Sequence, residues 1–283
     1  MKARLSSVSG LEALLVRLER QMRLANRAES TIISYSRMVR RLCLKIGKIP
    51  EQMEADEIED YLMGLKGKFS ESTWHLHVCG IRYLFREVYQ DELPLNLPTA
   101  KRSRSLPVVL SRKELSKLFD GCKSLKHRCM FRLAYGSGIR SNELRLLKIS
   151  DVDSDSMRLR IEKGKGGKDR YTVLPSSLLE ELRQYYRASR PKVYLFNGQQ
   201  KGQPLAKRSL QHALDKALRR SGIAKDATMH TLRHSFAVHA IEAGMDILTL
   251  QHLLGHGHLQ TTLIYLRISQ PPRSELFSPL DHF

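Results

Sequence analysis

The stretch Met157-Arg-Leu-Arg-Ile161 alternates apolar and polar residues, gives way to Gly164-Lys-Gly-Gly167, and is followed by a second alternating stretch, Arg170-Tyr-Thr-Val-Leu174. Period-two alternation on both sides of a glycine-rich turn predicts a β-hairpin. Around it the apolar residues recur at helical spacing. Downstream, helices are expected at 176–188, 207–220, 231–243, 246–254 and 258–266. Upstream they are expected at 112–122, opened by the capping-box pattern Ser111-x-x-Glu114, and at 126–136 and 141–148.

Farther upstream the periodicity lapses. Pro94, Pro98 and Pro107 accompany a basic cluster, Lys101, Arg102 and Arg104, and this composition reads as a linker. It either follows a DNA backbone or is simply solvated. Before it lie four amphipathic segments. Residues 11–27 carry Leu11, Leu14, Leu15, Leu18 and Met22 on one stripe, and 31–46 carry Ile32, Tyr35, Met38, Val39 and Leu42, stopped by Gly47 and Pro50. Residues 54–65 present Ile58, Tyr61, Leu62 and Leu65. Ser70-Glu71-Ser72 opens the fourth segment, which runs to about Tyr89 through Trp74, Val78, Ile81, Leu84 and Phe85. The expected fold is mainly α with a small antiparallel β-sheet: an N-terminal helical bundle at 1–92, a linker at 93–108, a mixed α+β domain at 109–268 and a tail at 269–283.

The chain has 283 residues, enough for two domains with real cores. Its formal net charge is +19, which points to a polyanionic partner, nucleic acid above all, or to a merely basic surface. Residues 1–100 hold 15 basic and 13 acidic side chains, net +2, whereas the remainder holds 33 and 16, net +17. The second part should therefore make most of the phosphate contacts. Cys43, Cys79, Cys122 and Cys129 have no Cys-x-x-Cys spacing and no apolar secretory leader precedes them, so reduced thiols in a cytosolic protein are expected. No apolar run approaches the roughly 18 residues that cross a bilayer.

Four clusters in the second part carry chemistry, and each alone has a bland reading. In Gly136-Ser-Gly-Ile-Arg140-Ser-Asn-Glu143-Leu the glycines allow a tight turn and Arg140 opens a helix, where its guanidinium can fork a phosphate with Glu143 orienting it. The alternative is a surface ion pair. In Lys163-Gly-Lys165-Gly-Gly-Lys168-Asp-Arg170 the basic residues reach into a DNA groove or deliver a proton, or form a solvated turn; the Walker A order is absent. In His230-Thr-Leu-Arg233-His234 the first and fourth residues share a helix face, as proton-transfer and charge-stabilising groups or as a plain surface pair. Zinc binding through His234 and His239 is disfavoured for want of acidic or cysteine co-ligands. In Leu253-Leu-Gly-His256-Gly-His-Leu-Gln-Thr-Thr-Leu-Ile-Tyr265 a glycine-flanked histidine precedes a tyrosine by nine residues, and a lone tyrosine there would ordinarily be a packing residue.

Together, in order and spacing, these clusters resemble the signature of the tyrosine recombinases, the family of phage integrases, Xer recombinases and integron integrases. The resemblance is strong over 108–268, and 12–90 is similar to the family's DNA-clamping domain. It departs at Ser141-Asn142, where an aliphatic residue and then serine are commoner. The resemblance implies a catalytic set of Arg140, Lys165, His230, Arg233, His256 and Tyr265, with Glu143 in support. Tyr265 would attack a DNA phosphodiester to give a 3′-phosphotyrosyl bond and a 5′-hydroxyl. His230 would accept the phenol proton, Arg140 and Arg233 would hold the non-bridging oxygens, His256 would bond the phosphate, and Lys165 would protonate the leaving oxygen. Lys163 and Lys168 remain alternative donors, and Lys101, Arg102, Arg104, Lys163, Lys168 and Arg170 are the expected DNA contacts. No cofactor is implied: the arginines stand in for a metal, and the covalent bond conserves the energy that ATP would otherwise supply. The implied partners are double-stranded recombination sites and three further copies of the chain, in bacterial cytoplasm with the nucleoid and without a membrane. Leu276, Phe277, Leu280 and Phe283 of the tail would dock on a neighbour, or fold back on their own domain. A mobile-element integrase is the first reading; Xer-type dimer resolution, a DNA-binding relative without chemistry and a type IB topoisomerase are the alternatives.

Overall fold

Apolar stripes on short helices dominate both halves of the chain. The computed structural model describes residues 8–91, 106–162, 169–200 and 202–269. Contacts divide it into two units, Met1–Arg104 and Ser105–Phe283.

The first unit is all helical, with α1 (Leu11–Leu24), α2 (Glu29–Ile46), α3 (Ala55–Met63) and α4 (Glu71–Tyr83). Each helix buries the stripe its periodicity announces: Leu14, Leu15, Leu18 and Met22 on α1 meet Ile32 and Val39 on α2 and Leu84 beyond α4. Gly47, at φ 85°, stops α2 in the left-handed region. Ser70 caps α4, its side chain accepting from the Thr73 amide. The expected helix to Tyr89 is α-helical only to Tyr83 and continues as a π-helical turn over Leu84–Tyr89. Trp74 Nε1 donates to the Leu62 carbonyl at 3.0 Å, tying α4 to the end of α3.

The second unit contains α5 (Arg112–Asp120), α6 (Leu125–Ser137), α7 (Ser141–Leu146), β1 (Val152–Asp153), β2 (Arg158–Ile161), β3 (Arg170–Val173), α8 (Ser176–Ser189), α9 (Lys207–Arg220), α10 (Met229–Glu242), α11 (Ile247–Leu254) and α12 (Leu259–Leu266). The predicted hairpin is present as β2 and β3. A third strand, β1, went unpredicted; it turns back onto β2 through Met157, which sits at φ 51°. The sheet is antiparallel in the order β1-β2-β3, with Leu159 opposite Thr172 and Ile161 opposite Arg170. One core gathers α5, α6, α8, α9 and the inner face of the sheet, and a second gathers α10, α11 and α12.

Helix α10 lies at the centre. Eleven of its residues, Met229 to Ile241, are buried, so it presents no single apolar stripe. It packs against α6, α9, α11 and α12, while α11 also lies along β3. Residues that converge on one end of α10 can therefore come from α7, β3, α11 and α12 together. The four cysteines are free, three of them buried. Among the described residues no helix is long and apolar enough to cross a membrane.

Candidate active site

The convergence begins where α11 ends. The last carbonyls of a helix have no intrahelical partner and carry the negative end of its dipole. Here three successive carbonyls each accept from a different arginine. Leu253 O accepts from Arg170 Nε at 3.0 Å, Leu254 O from Arg233 Nη2 at 2.6 Å, and Gly255 O from Arg140 Nη2 at 2.8 Å. Gly255 sits at φ 62°, and a Cβ there would fall 2.7 Å from Arg170 Cδ, so only glycine allows this approach.

Arg140 is the N-cap residue of α7. Its backbone amide donates to Glu143 Oε2 and its Nη1 to Glu143 Oε1, both at 2.8 Å. Arg170, on β3, grips the same carboxylate with two bonds of 2.8 Å. Burial would raise the Glu143 pKa, but the hydrogen bonds and charge of Arg170, and then of Arg140, hold it down at about 2. Arg233 is buried in α10 and also donates from Nη1 to the Gly138 carbonyl at 2.7 Å. Burial, with Arg140 nearby, lowers its pKa to about 10. Three guanidiniums face one carboxylate, so the cluster holds excess positive charge, the condition for binding an anion.

Tyr265 enters this cluster from α12, whose inner face is Thr262 and Tyr265, one turn apart. Its side chain is buried, and its hydroxyl shares a hydrogen bond with His234 Nδ1 at 2.9 Å. The Tyr265 ring lies nearly parallel to that of His256, at 17°, and His256 Nδ1 is fixed by Thr262 Oγ1 at 2.9 Å. Burial raises the Tyr265 pKa, and Arg233 and Arg140 are close enough to oppose that shift. His234 is pushed down to about 4 by burial and by its neighbours His230 and Arg233. It is therefore neutral at pH 7 and able to accept from the phenol.

The structure thus brings together Arg140, Glu143, Arg233, His256 and Tyr265. His230 lies at the exposed rim, in the first turn of α10, its ring centroid 6.4 Å from that of His234. Close packing and the charges of Arg233, Arg140 and Lys207 lower its pKa. One reading needs correction. Arg170, expected on DNA, is buried and committed to Glu143 and the Leu253 carbonyl, so it organises the cluster from behind. The hydrogen-bond partner of the phenol is His234, a residue given no catalytic role in the sequence, while His230, the expected proton acceptor, stands a turn away. His239 Nδ1 shares a hydrogen bond with the Tyr135 hydroxyl at 2.9 Å. Lys101, Arg102, Arg104, Lys163, Lys165 and Lys168 lie outside the described residues. A tyrosine hydroxyl beside two arginines and two histidines joins a nucleophilic oxygen to groups that can bind an anion and carry a proton.

The sequence profile of the phage integrase family matches residues 108–270, and that of the phage integrase N-terminal SAM-like domain matches 14–95. The chain is a tyrosine recombinase of the phage integrase family. It is 37% identical over 269 residues to y4qK of Sinorhizobium fredii, which carries an integrase/recombinase designation, covering 94% of this chain and 87% of that one. It is 34% identical over 257 residues to tyrosine recombinase XerA of Thermococcus onnurineus, covering 89% of each. Among solved structures, a lambda integrase tetramer bound to a Holliday junction shares the fold at TM-score 0.74 and 20% identity, over 95% of this chain and 79% of that one. XerH in its post-cleavage complex with difH does so at TM-score 0.70 and 20% identity, over 95% and 97%. The mostly helical fold with one small antiparallel sheet is the fold of these proteins.

Proposed function

We propose that this family member cuts and rejoins double-stranded DNA at a specific site, with Tyr265 as nucleophile. The observation that carries the reading is the buried Tyr265 hydroxyl held beside Arg233 and Arg140, whose guanidiniums are fixed by backbone carbonyls. The phenol attacks the scissile phosphorus, forming a 3′-phosphotyrosyl bond and releasing a 5′-oxygen. Arg140 and Arg233 hold the non-bridging oxygens and stabilise the charge of the five-coordinate transition state. They supply positive charge where other phosphoryl-transfer enzymes place a metal ion. His256 bonds the phosphate, and His230 lies at the rim of the same cluster. Lys165, which follows β2 in sequence, protonates the leaving oxygen, with Lys163 and Lys168 as alternatives. The phosphotyrosyl bond keeps the energy of the broken linkage, so rejoining needs no ATP.

The helices of 1–92 and the basic residues Lys101, Arg102 and Arg104 then hold the duplex, and the tail at 269–283 joins protomers in a tetramer on paired sites, acting on DNA in the cytoplasm. Relatives designated integrase/recombinase favour a mobile-element integrase. The relatives named XerA favour dimer resolution as the second reading.

Covalent capture tests the chemistry. The chain is incubated without metal with a pool of nicked duplexes of random sequence, and protein–DNA adducts are isolated under denaturing conditions and sequenced. An adduct with one recovered sequence, lost in Tyr265→Phe, is expected. Retarded DNA without any adduct would refute the nucleophile assignment. The recovered sequence, compared with the ends of mobile elements and with replication-terminus sites, separates the two biological readings.

A further inference from the structure

A group that takes a proton in the transition state must sit within hydrogen-bond reach of it, about 2.6–3.2 Å between heavy atoms. His234 Nδ1 is 2.9 Å from the Tyr265 hydroxyl. His230, a turn earlier on α10, makes no hydrogen bond to Tyr265 among the described residues, and its ring lies at the exposed rim beyond His234. The acceptor geometry is also built rather than incidental. His234 is half-buried with its ring 5.7 Å from that of Tyr265, and the Tyr265 ring also stacks on His256, itself pinned by Thr262.

We propose that His234 is the proton acceptor for Tyr265 during cleavage and its proton donor during rejoining, leaving His230 to face the phosphate. The proposal rests on Tyr265 being the nucleophile. As the phenol oxygen bonds to phosphorus, its proton passes along the existing hydrogen bond to Nδ1 and His234 becomes an imidazolium. The bond from phosphorus to the 5′-oxygen breaks, and that oxygen takes a separate proton, from the lysine assigned to it above. In rejoining, the 5′-hydroxyl returns its proton to the lysine as it attacks phosphorus, the phosphotyrosyl bond breaks, and the phenolate recovers its proton from His234.

In the unbound protein His234 is a weak base, because burial, His230 and Arg233 all oppose its charge. The groups against it are His230 and Arg233 on α10 and Tyr265 on α12; Arg140 and His256 are close to that phenol, and Glu143 and Arg170 are linked to Arg140. A phosphodiester seated on Arg140 and Arg233 adds a negative charge to this set and favours an imidazolium at 234. Basicity thus rises when substrate is bound, and the nucleophile stays protonated until then.

The test uses the full chain and the duplex recovered by covalent capture, with single-turnover adduct formation as readout. His234→Asn is expected to slow adduct formation by about 10²–10⁴ while DNA retardation is unchanged. Fluorotyrosine in place of Tyr265 has a more acidic phenol and needs less help from a base. It is expected to restore most of the loss in His234→Asn and none of the loss in His230→Asn. A misfolded or mispositioned site would not be rescued by phenol acidity. Wild-type rates in His234→Asn, a loss that fluorotyrosine leaves in place, or rescue confined to His230→Asn would each overturn the proposal. No adduct from the wild-type chain on bound DNA would overturn the nucleophile reading itself.

Discussion

Glu143→Gln is the perturbation that best isolates the charge at the heart of the site. Glutamine keeps the size of the side chain and one carbonyl oxygen but removes the negative charge that faces Arg140 and Arg170. The Glu143 side chain is 10% exposed and that of Arg170 is 7% exposed, so solvent screens little of this interaction. The Glu143 pKa falls from an ordinary 4.5 to about 2 on folding. A difference of that size corresponds to about 3 kcal/mol of stability at neutral pH. Because the folded value is the lower one, the contribution is complete above pH 4.5 and is lost as pH falls towards 2. Glu143→Gln should therefore unfold with about 3 kcal/mol less stability at pH 7, near the 3–5 kcal/mol typical of breaking a buried pair. The gap from wild type should close between pH 4.5 and 2, where the wild-type carboxyl itself becomes neutral. The assay is urea titration followed by far-ultraviolet circular dichroism. The fluorescence of Trp74, the single tryptophan, marks the transition of the other unit separately. A gap that stays constant from pH 7 to pH 2, or one below about 1 kcal/mol at pH 7, would refute the view that this carboxylate is the counter-charge of both arginines.

Three further outcomes are expected. Arg140→Ala should slow adduct formation by about 10²–10³ with DNA retardation little changed, measured by single-turnover capture. Gly138→Ala forces an alanine to φ 60° with its Cβ 2.4 Å from the Phe236 ring, and should cost the second unit about 3 kcal/mol by thermal unfolding. His77 is fully buried against the Tyr61 hydroxyl, and burial pushes its pKa from 6.5 down to about 4. The first unit should then lose about 3 kcal/mol as pH falls from 6.5 to 4, because the unfolded chain takes up the proton first; Trp74 fluorescence reads this, and His77→Gln should flatten it.

What could be read from the sequence follows from how each signal is encoded. The helices were legible because a buried stripe repeats every turn, and all four expected N-terminal segments recur within a few residues as α1 to α4. The strand β1 was not, since two residues, Val152 and Asp153, are too few to show a period. The role of Arg170 was hidden by hydropathy, which would bury Tyr171 and Val173. The structure does the reverse: Arg170 and Thr172 are buried, and Tyr171 and Val173 are exposed. The signal was in the register, for cross-strand partners share a face, and Ile161, the partner of Arg170, points inward. His234 was passed over because a motif of His-x-x-Arg draws attention to its ends. Only the packing of α12 against α10 shows which histidine meets the phenol.

The three arginines on the end of α11 show why the site needed a helix at that place. Guanidiniums packed together repel one another, and a single carboxylate neutralises one charge of three. The remaining charge is accommodated by Leu253, Leu254 and Gly255, whose carbonyls are unsatisfied by any helix and lie at its negative end. Those partners are dipoles, not ions. They fix where each guanidinium points without cancelling its charge, and so leave Arg140 and Arg233 attractive to a phosphate. A second acidic residue in their place would have stabilised the unbound protein more and bound the anion less. The same carbonyls join β3, α7 and α10 to one helix end, so a shift of α11 would move all three arginines together rather than one alone.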